Sequence, residues 1–225
     1  EEAGAAALCV HGRTPKQRPK YADRDRTGQA GAAPNWGPIK EVVSAVQIPV
    51  IANGGIETLE DAERCLKETG AAAVMSAEAL LEDPALFSNE ASAAIALMQP
   101  EGEDNDGMPT PIARHALKMG REFLDLAGEF PCDLKYPPTK SHIFKILHRL
   151  IGADQAEARR RETAGLELTI QEELKLVLMR CPVTDHDAIR AALDTIEARY
   201  ASSPKPVIGP SWYRRWRPEN VNRAR

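Results

Sequence analysis

Three stretches of this sequence place small and polar residues where an apolar run stops, and each is able to do chemistry. Val10-His11-Gly12-Arg13-Thr14 sets an imidazole and a guanidinium at the end of a short β-type run. Ile48-Pro49-Val50-Ile51-Ala52-Asn53-Gly54-Gly55-Ile56 runs into a glycine pair, and Val74-Met75-Ser76-Ala77-Glu78 delivers a third run to the start of a helix. Glycine lets the backbone turn tightly and approach a ligand, and the first amides of a helix are unsatisfied donors at the positive end of a dipole. Backbone N–H groups at Gly54, Gly55, Ala77 and Glu78 are therefore able to converge on one phosphate, with His11 facing the same cavity. The competing reading of His11 to Thr14 is an ordinary strand-to-loop turn. The constellation suits a phosphorylated cofactor better than a catalytic triad or a metal. No HExxH, GxSxG or Walker pattern occurs.

The elements needed to hold these residues alternate between strand and helix. Ala5 to Val10, Ile48 to Asn53 and Ala72 to Met75 read as buried strands. Between them Ile39, Val42, Val43 and Val46 fall at helical spacing with Asn35 as N-cap. Thr58-Leu59-Glu60-Asp61 forms a capping-box pattern with Asp in the last place, before a helix bearing Ala62, Cys65 and Leu66 and closed by Gly70. A short helix opens at Glu78 and breaks at Pro84. The expectation is an α/β fold of parallel βαβ units: the C-terminal part of a TIM (β/α)8 barrel, about three units of the eight that closure needs. In that arrangement phosphate is held between the loops after the last strands and a short extra helix. The sequence starts without an initiator methionine and almost directly with a strand, so a fragment is expected, with roughly five units missing. The polar connection from Pro15 to Pro34 reads either as a mobile, mildly basic lid or as a plain solvated loop.

An acidic segment with prolines and glycines, Gln99 to Pro111, is the clearest boundary. The expected organisation is a barrel portion over residues 1–98, a linker over 99–110, a helical bundle over 111–201 and a basic tail over 202–225. Thr110-Pro111 opens the first bundle helix. Pro138 or Thr139 opens a second, whose apolar face holds Ile143, Phe144, Ile146, Leu147, Leu150 and Ile151. Its other face carries Ser141, His142, Lys145, His148 and Arg149, with no acid between Leu134 and Ala153. Thr169 begins a capping box and Thr184 caps a last helix. The one-sign face suits phosphate contacts of a nucleic acid, with Lys145 and Arg149 as candidates; a merely solvated face is the alternative. The tail interleaves Trp212, Tyr213 and Trp216 with five arginines, a pattern that fits base stacking or a disordered basic end.

The chain of 225 residues is 43% hydrophobic, enough for a real core, and its net charge of −4 gives no global signature of nucleic-acid binding. Four scattered cysteines without a CxxC pair favour neither a zinc site nor a disulfide framework, so no metal and a reduced intracellular compartment, cytoplasmic or nuclear, are expected. The start is not a signal peptide, and no run approaches the ~20 apolar residues of a membrane span.

The motifs at Val10 to Thr14, Ile48 to Ile56, Thr69 to Ala71, Val74 to Glu78 and Asp83-Pro84-Ala85-Leu86-Phe87 resemble those of the tRNA-dihydrouridine synthases. The Ala77-Glu78 ending, with Lys140-Ser141-His142-Ile143-Phe144-Lys145-Ile146-Leu147, resembles the eukaryotic branch acting on positions sixteen and seventeen of the D-loop. The resemblance implies an FMN-dependent reductase of tRNA, monomeric, with NADPH as reductant and a helical tRNA-recognition domain after the barrel. It implies that His11 contacts FMN, that the amides of Asn53, Gly54, Gly55, Ala77 and Glu78 hold its phosphate end, and that Arg13 meets substrate or cofactor. The family's general-acid cysteine and flavin-contacting lysine lie on earlier strands, and no segment here matches them. Cys9, inside a strand, is not assigned the acid role, and Gly55 stands where this branch often has asparagine. Two other readings are a tRNA-binding module without catalysis and another FMN barrel oxidoreductase acting on a small molecule.

Overall fold

The computed structural model describes residues 1–13, 34–88, 111–134, 137–152 and 155–202. Expectations for the lid at 15–33, the linker at 99–110 and the tail from 203 onward fall outside those residues. The described residues divide into two compact units, the first holding 1–80 and 86–88, the second 81–85 and 111–202.

The first unit is built on a three-stranded parallel sheet in the order β1 (Leu8–His11), β2 (Val50–Asn53), β3 (Ala73–Met75). Register pairs Val10 with Ala52 and Ala52 with Val74, and one row further on His11 with Asn53 and Asn53 with Met75. Paired residues point to the same side, so side chains alternate between two faces. One face, carrying Val10, Val50, Ala52 and Val74, packs with Ile39, Ala62 and Cys65 from α1 (Gly37–Ala45) and α2 (Leu59–Thr69). The other face presents Cys9, His11, Ile51, Asn53, Ala73 and Met75. Met75 is 41% exposed there, and Cys9 Sγ lies 3.8 Å from Met75 Sδ. Parallel sheets usually have both faces covered; among the described residues of this unit the helices pack on the first.

Local chemistry explains the helix ends. Asn35 Oδ1 accepts from the Gly37 amide at 2.9 Å, although the helix proper starts one residue later than a cap at Asn35 implies. Thr58 accepts from the Asp61 amide, but the shorter Asp61 carboxylate reaches the Glu57 amide rather than that of Thr58. Gly70 ends α2 in the left-handed region at φ 71°. The short α3 (Glu78–Glu82) leads out of β3.

In the second unit, α4 (Pro111–Glu129), α5 (Thr139–Ile146), α6 (His148–Ile151), α7 (Gln155–Thr163), α8 (Ile170–Arg180) and α9 (His186–Ala201) follow one another. Leu117, Leu124, Ile143, Leu147, Leu150, Leu174, Leu178, Ile189, Leu193 and Ile196 form one continuous core. The single helix read over the basic segment is two, broken at Leu147. Of its expected apolar face, Ile143, Ile146, Leu147, Leu150 and Ile151 are buried and Phe144 is partly buried against the same core. The Thr169 capping box is complete. The cap of α9 is Asp185, which accepts from the Ala188 amide, one residue beyond Thr184. No helix among the described residues is long and apolar enough to cross a membrane.

Candidate functional site

Because β1, β2 and β3 are adjacent and parallel, their C-terminal ends share one edge of the sheet. His11, the Asn53-Gly54-Gly55 turn and Ser76-Ala77-Glu78 therefore meet at that edge. Ser76 Oγ donates to the Ile56 carbonyl at 2.8 Å and ties the two later turns together directly.

The glycine turn needs its glycines. Gly54 and Gly55 have φ of 101° and 80°, where a side chain is strained. A Cβ on Gly54 would lie 2.8 Å from His11 Cε1, and one on Gly55 would lie 2.9 Å from Pro34 Cγ. The imidazole thus packs directly on the turn. Its orientation is set locally, because the Arg13 amide donates to His11 Nδ1 at 3.0 Å. In the neutral ring that bond leaves the proton on Nε2.

Three carbonyls of the turn are held from outside. The Gly12 amide donates to the Asn53 oxygen at 2.9 Å and the Trp36 indole N–H to the Gly54 oxygen at 3.0 Å, with Ser76 completing the set at Ile56. In a trans peptide the C=O and the following N–H point opposite ways, so each held carbonyl also aims an amide. The Asn53 carbonyl faces β1; the Gly54 amide is consequently directed toward the β3 side, where Ala77 leads into α3 at Glu78. Ala77 and Glu78 are exposed. Backbone N–H groups of a glycine turn and of a helix start are donors whose chemistry suits a phosphate group, although Glu78 brings a carboxylate to the same edge. Trp36 was not legible as part of it from sequence; only its place just before a helix start hinted at a structural role.

Other site candidates lie in the second unit. Lys145 and Arg149 are both partly exposed, on α5 and α6. Arg149 Nε is 3.5 Å from Glu82 Oε1, an ion pair whose side chains are only 18% and 12% exposed. The acid absent from the segment's own sequence is supplied by α3. Lys140 Nζ donates to the Met179 and Cys181 carbonyls and so caps the end of α8. His142 stacks on Phe123 at 5.4 Å, and burial, reinforced by Lys145, pushes its pKa down. The basic face is thus partly structural.

The cysteines do not suggest a second site. Cys65 is buried and burial pushes its thiol pKa up, while Cys181 donates to the Val177 and Ala188 carbonyls. Among the described residues no group of three or more His, Cys, Asp or Glu is placed to hold a metal ion.

A three-stranded parallel sheet whose strand ends carry a glycine turn, followed by an all-helical unit, defines an α/β protein. The family profile described as dihydrouridine synthase (Dus) matches residues 1–164. The chain is 32% identical over 195 residues to the mouse protein named tRNA-dihydrouridine(16/17) synthase [NAD(P)(+)]-like, covering 85% of this chain and 34% of that one. The rat protein of the same name gives 32% over 195 residues, 85% and 37%. tRNA-dihydrouridine synthase B of Xanthomonas axonopodis pv. citri is 40% identical over 91 residues, 40% of this chain and 24% of that one. The chain belongs to the dihydrouridine synthase family and is similar to its eukaryotic 16/17 branch. It spans about a third of the length of the rodent relatives.

Proposed function

We propose that this chain is the C-terminal portion of a tRNA-dihydrouridine synthase, with the first unit a part of its TIM barrel and the cradle at the strand ends the phosphate end of its FMN site. The observation that supports this reading is the glycine turn, where the Asn53 and Gly54 carbonyls accept from the Gly12 amide and the Trp36 indole, so that the Gly54 and Gly55 amides point away from those donors. His11, proton on Nε2, would offer a donor to the flavin, and Asn53, Gly54, Gly55, Ala77 and Glu78 would hold the phosphate by backbone N–H. Arg13 would contact cofactor or substrate. When bound, FMN supplies the redox chemistry that reduces uridine in the D-loop of tRNA, at the expense of NADPH; the protein supplies orientation and charge. The general acid is a cysteine outside this chain, since none of the four here stands in a matching motif.

In the second unit Lys145 would contact the tRNA backbone. Arg149, beside Glu82, would add less. The test is an absorbance titration of the purified chain with FMN, paired with a tRNA gel shift at low salt. A perturbed flavin spectrum with tRNA retention is expected. Retention without flavin binding would instead support a tRNA-binding module. Flavin binding without retention would point to a small-molecule oxidoreductase.

A further inference from the structure

We propose that Trp36 is a positioning residue for the anion cradle: by holding the Gly54 carbonyl, its indole aims the Gly55 amide at the ligand's phosphate. This inference rests on the FMN reading of the site and adds a residue to it. Gly54 and Gly55 both have positive φ and lack side chains, so the peptide plane between them is the one in the turn with least steric resistance to rotation. With no side chain to hold it, that plane is fixed best by a contact from outside the turn. The Trp36 Nε1–H, 3.0 Å from the Gly54 oxygen, supplies that contact. With the carbonyl drawn toward Trp36, the Gly55 N–H points the opposite way.

The indole is itself braced. Trp36 packs against the core between the sheet and its helices, and the Arg64 guanidinium lies 5.1 Å from the ring centroid. Arg64 is in turn held by Asp61 Oδ1 at 2.7 Å. Asp61 also accepts from the Glu57 amide, just past the turn, at 3.2 Å. A closed path of contacts therefore runs from the turn to the first turn of α2 and back through Arg64 and Trp36. Preorganised donors of this kind are worth more than ones that must be ordered on binding.

The test separates the phosphate from the rest of the ligand. Trp36→Phe keeps a ring for the core and for Arg64 but loses the N–H. Dissociation constants of FMN and of riboflavin, which lacks the phosphate, are measured for the chain and for Trp36→Phe. The chain should prefer FMN, and the variant should lose about tenfold of that preference with riboflavin affinity unchanged. Undiminished preference in Trp36→Phe overturns the role of Trp36. Equal affinity for FMN and riboflavin in the unaltered chain overturns the phosphate reading itself, a distinguishable failure. Should the variant not fold, hydrogen exchange of the Trp36 indole proton in the unaltered chain decides. Slow exchange that slows further with FMN but not riboflavin supports the role, and exchange at the rate of an exposed indole overturns it.

Discussion

At Gly54 two independent constraints fall on one hydrogen atom. The backbone sits at φ 101°, and a methyl group in its place would press on His11 Cε1 at 2.8 Å. Gly54→Ala is therefore expected to destabilise the first unit by about 1–3 kcal/mol from backbone strain, read by urea unfolding. It should also displace the imidazole and weaken FMN binding more than riboflavin binding. Unchanged stability would mean that the turn relaxes without difficulty. The glycine pair was legible in the sequence because the requirement for positive φ is written in the residue type. The hydrogen bond of Trp36 was not, since it joins residues 18 positions apart across a connection with no pattern of its own. For the same reason the partner of Arg149 is not legible in the sequence: Glu82 belongs to a different element.

At the scale of elements, caps decide where helices begin, and one of them is sensitive to pH. Glu172 at the start of α8 accepts from the Thr169 amide at 2.8 Å with its side chain only 8% exposed. That bond, with Thr169 Oγ1 and Arg161 assisting against the effect of burial, holds its pKa below the usual 4.5. A depressed carboxylate stabilises the fold above its unfolded pKa and ceases to do so as pH falls through the folded value. Glu172→Gln should thus lower the melting temperature at neutral pH, with the gap to the unaltered chain closing well below pH 4.5. A gap that persists in acid would assign the loss to packing. Thr169→Ala should cost about 1 kcal/mol through the same cap. The strands, α1 and α9 are legible in their apolar runs and spacing, and α2, α4 and α8 in the cap and first-turn residues that open them. The polar α7, with Arg159, Arg160 and Arg161 in its last turns, has no such spacing, and the break at Leu147 lies inside an uninterrupted apolar stripe.

For the whole molecule, a net charge of −4 means that any contact with RNA must be local. Lys145→Glu should weaken tRNA retention at low salt and reduce the dependence of log affinity on log salt by about one ion, with little loss of stability. Arg149→Glu should behave differently, losing stability as well, because it sets a second acid beside Glu82. If Lys145→Glu left affinity unchanged across a salt series, α5 would not be a docking face. The acidic segment at 99–110 reads as a boundary in sequence but lies outside the described residues, while the second compact unit already takes in 81–85. The exposure of Met75 on the second face of the sheet, among the described residues, is not legible in sequence, because strands buried on both faces and strands buried on one look alike when the run is short and apolar.

The central claim is that two neighbouring strand ends share one phosphate. Amide resonances of the isotopically labelled chain, followed during titration with FMN and separately with riboflavin, address it directly. The account predicts that Gly54, Gly55, Ala77 and Glu78 shift together with FMN and respond far less to riboflavin. Shifts confined to one of the two turns, or equal with both ligands, would contradict it.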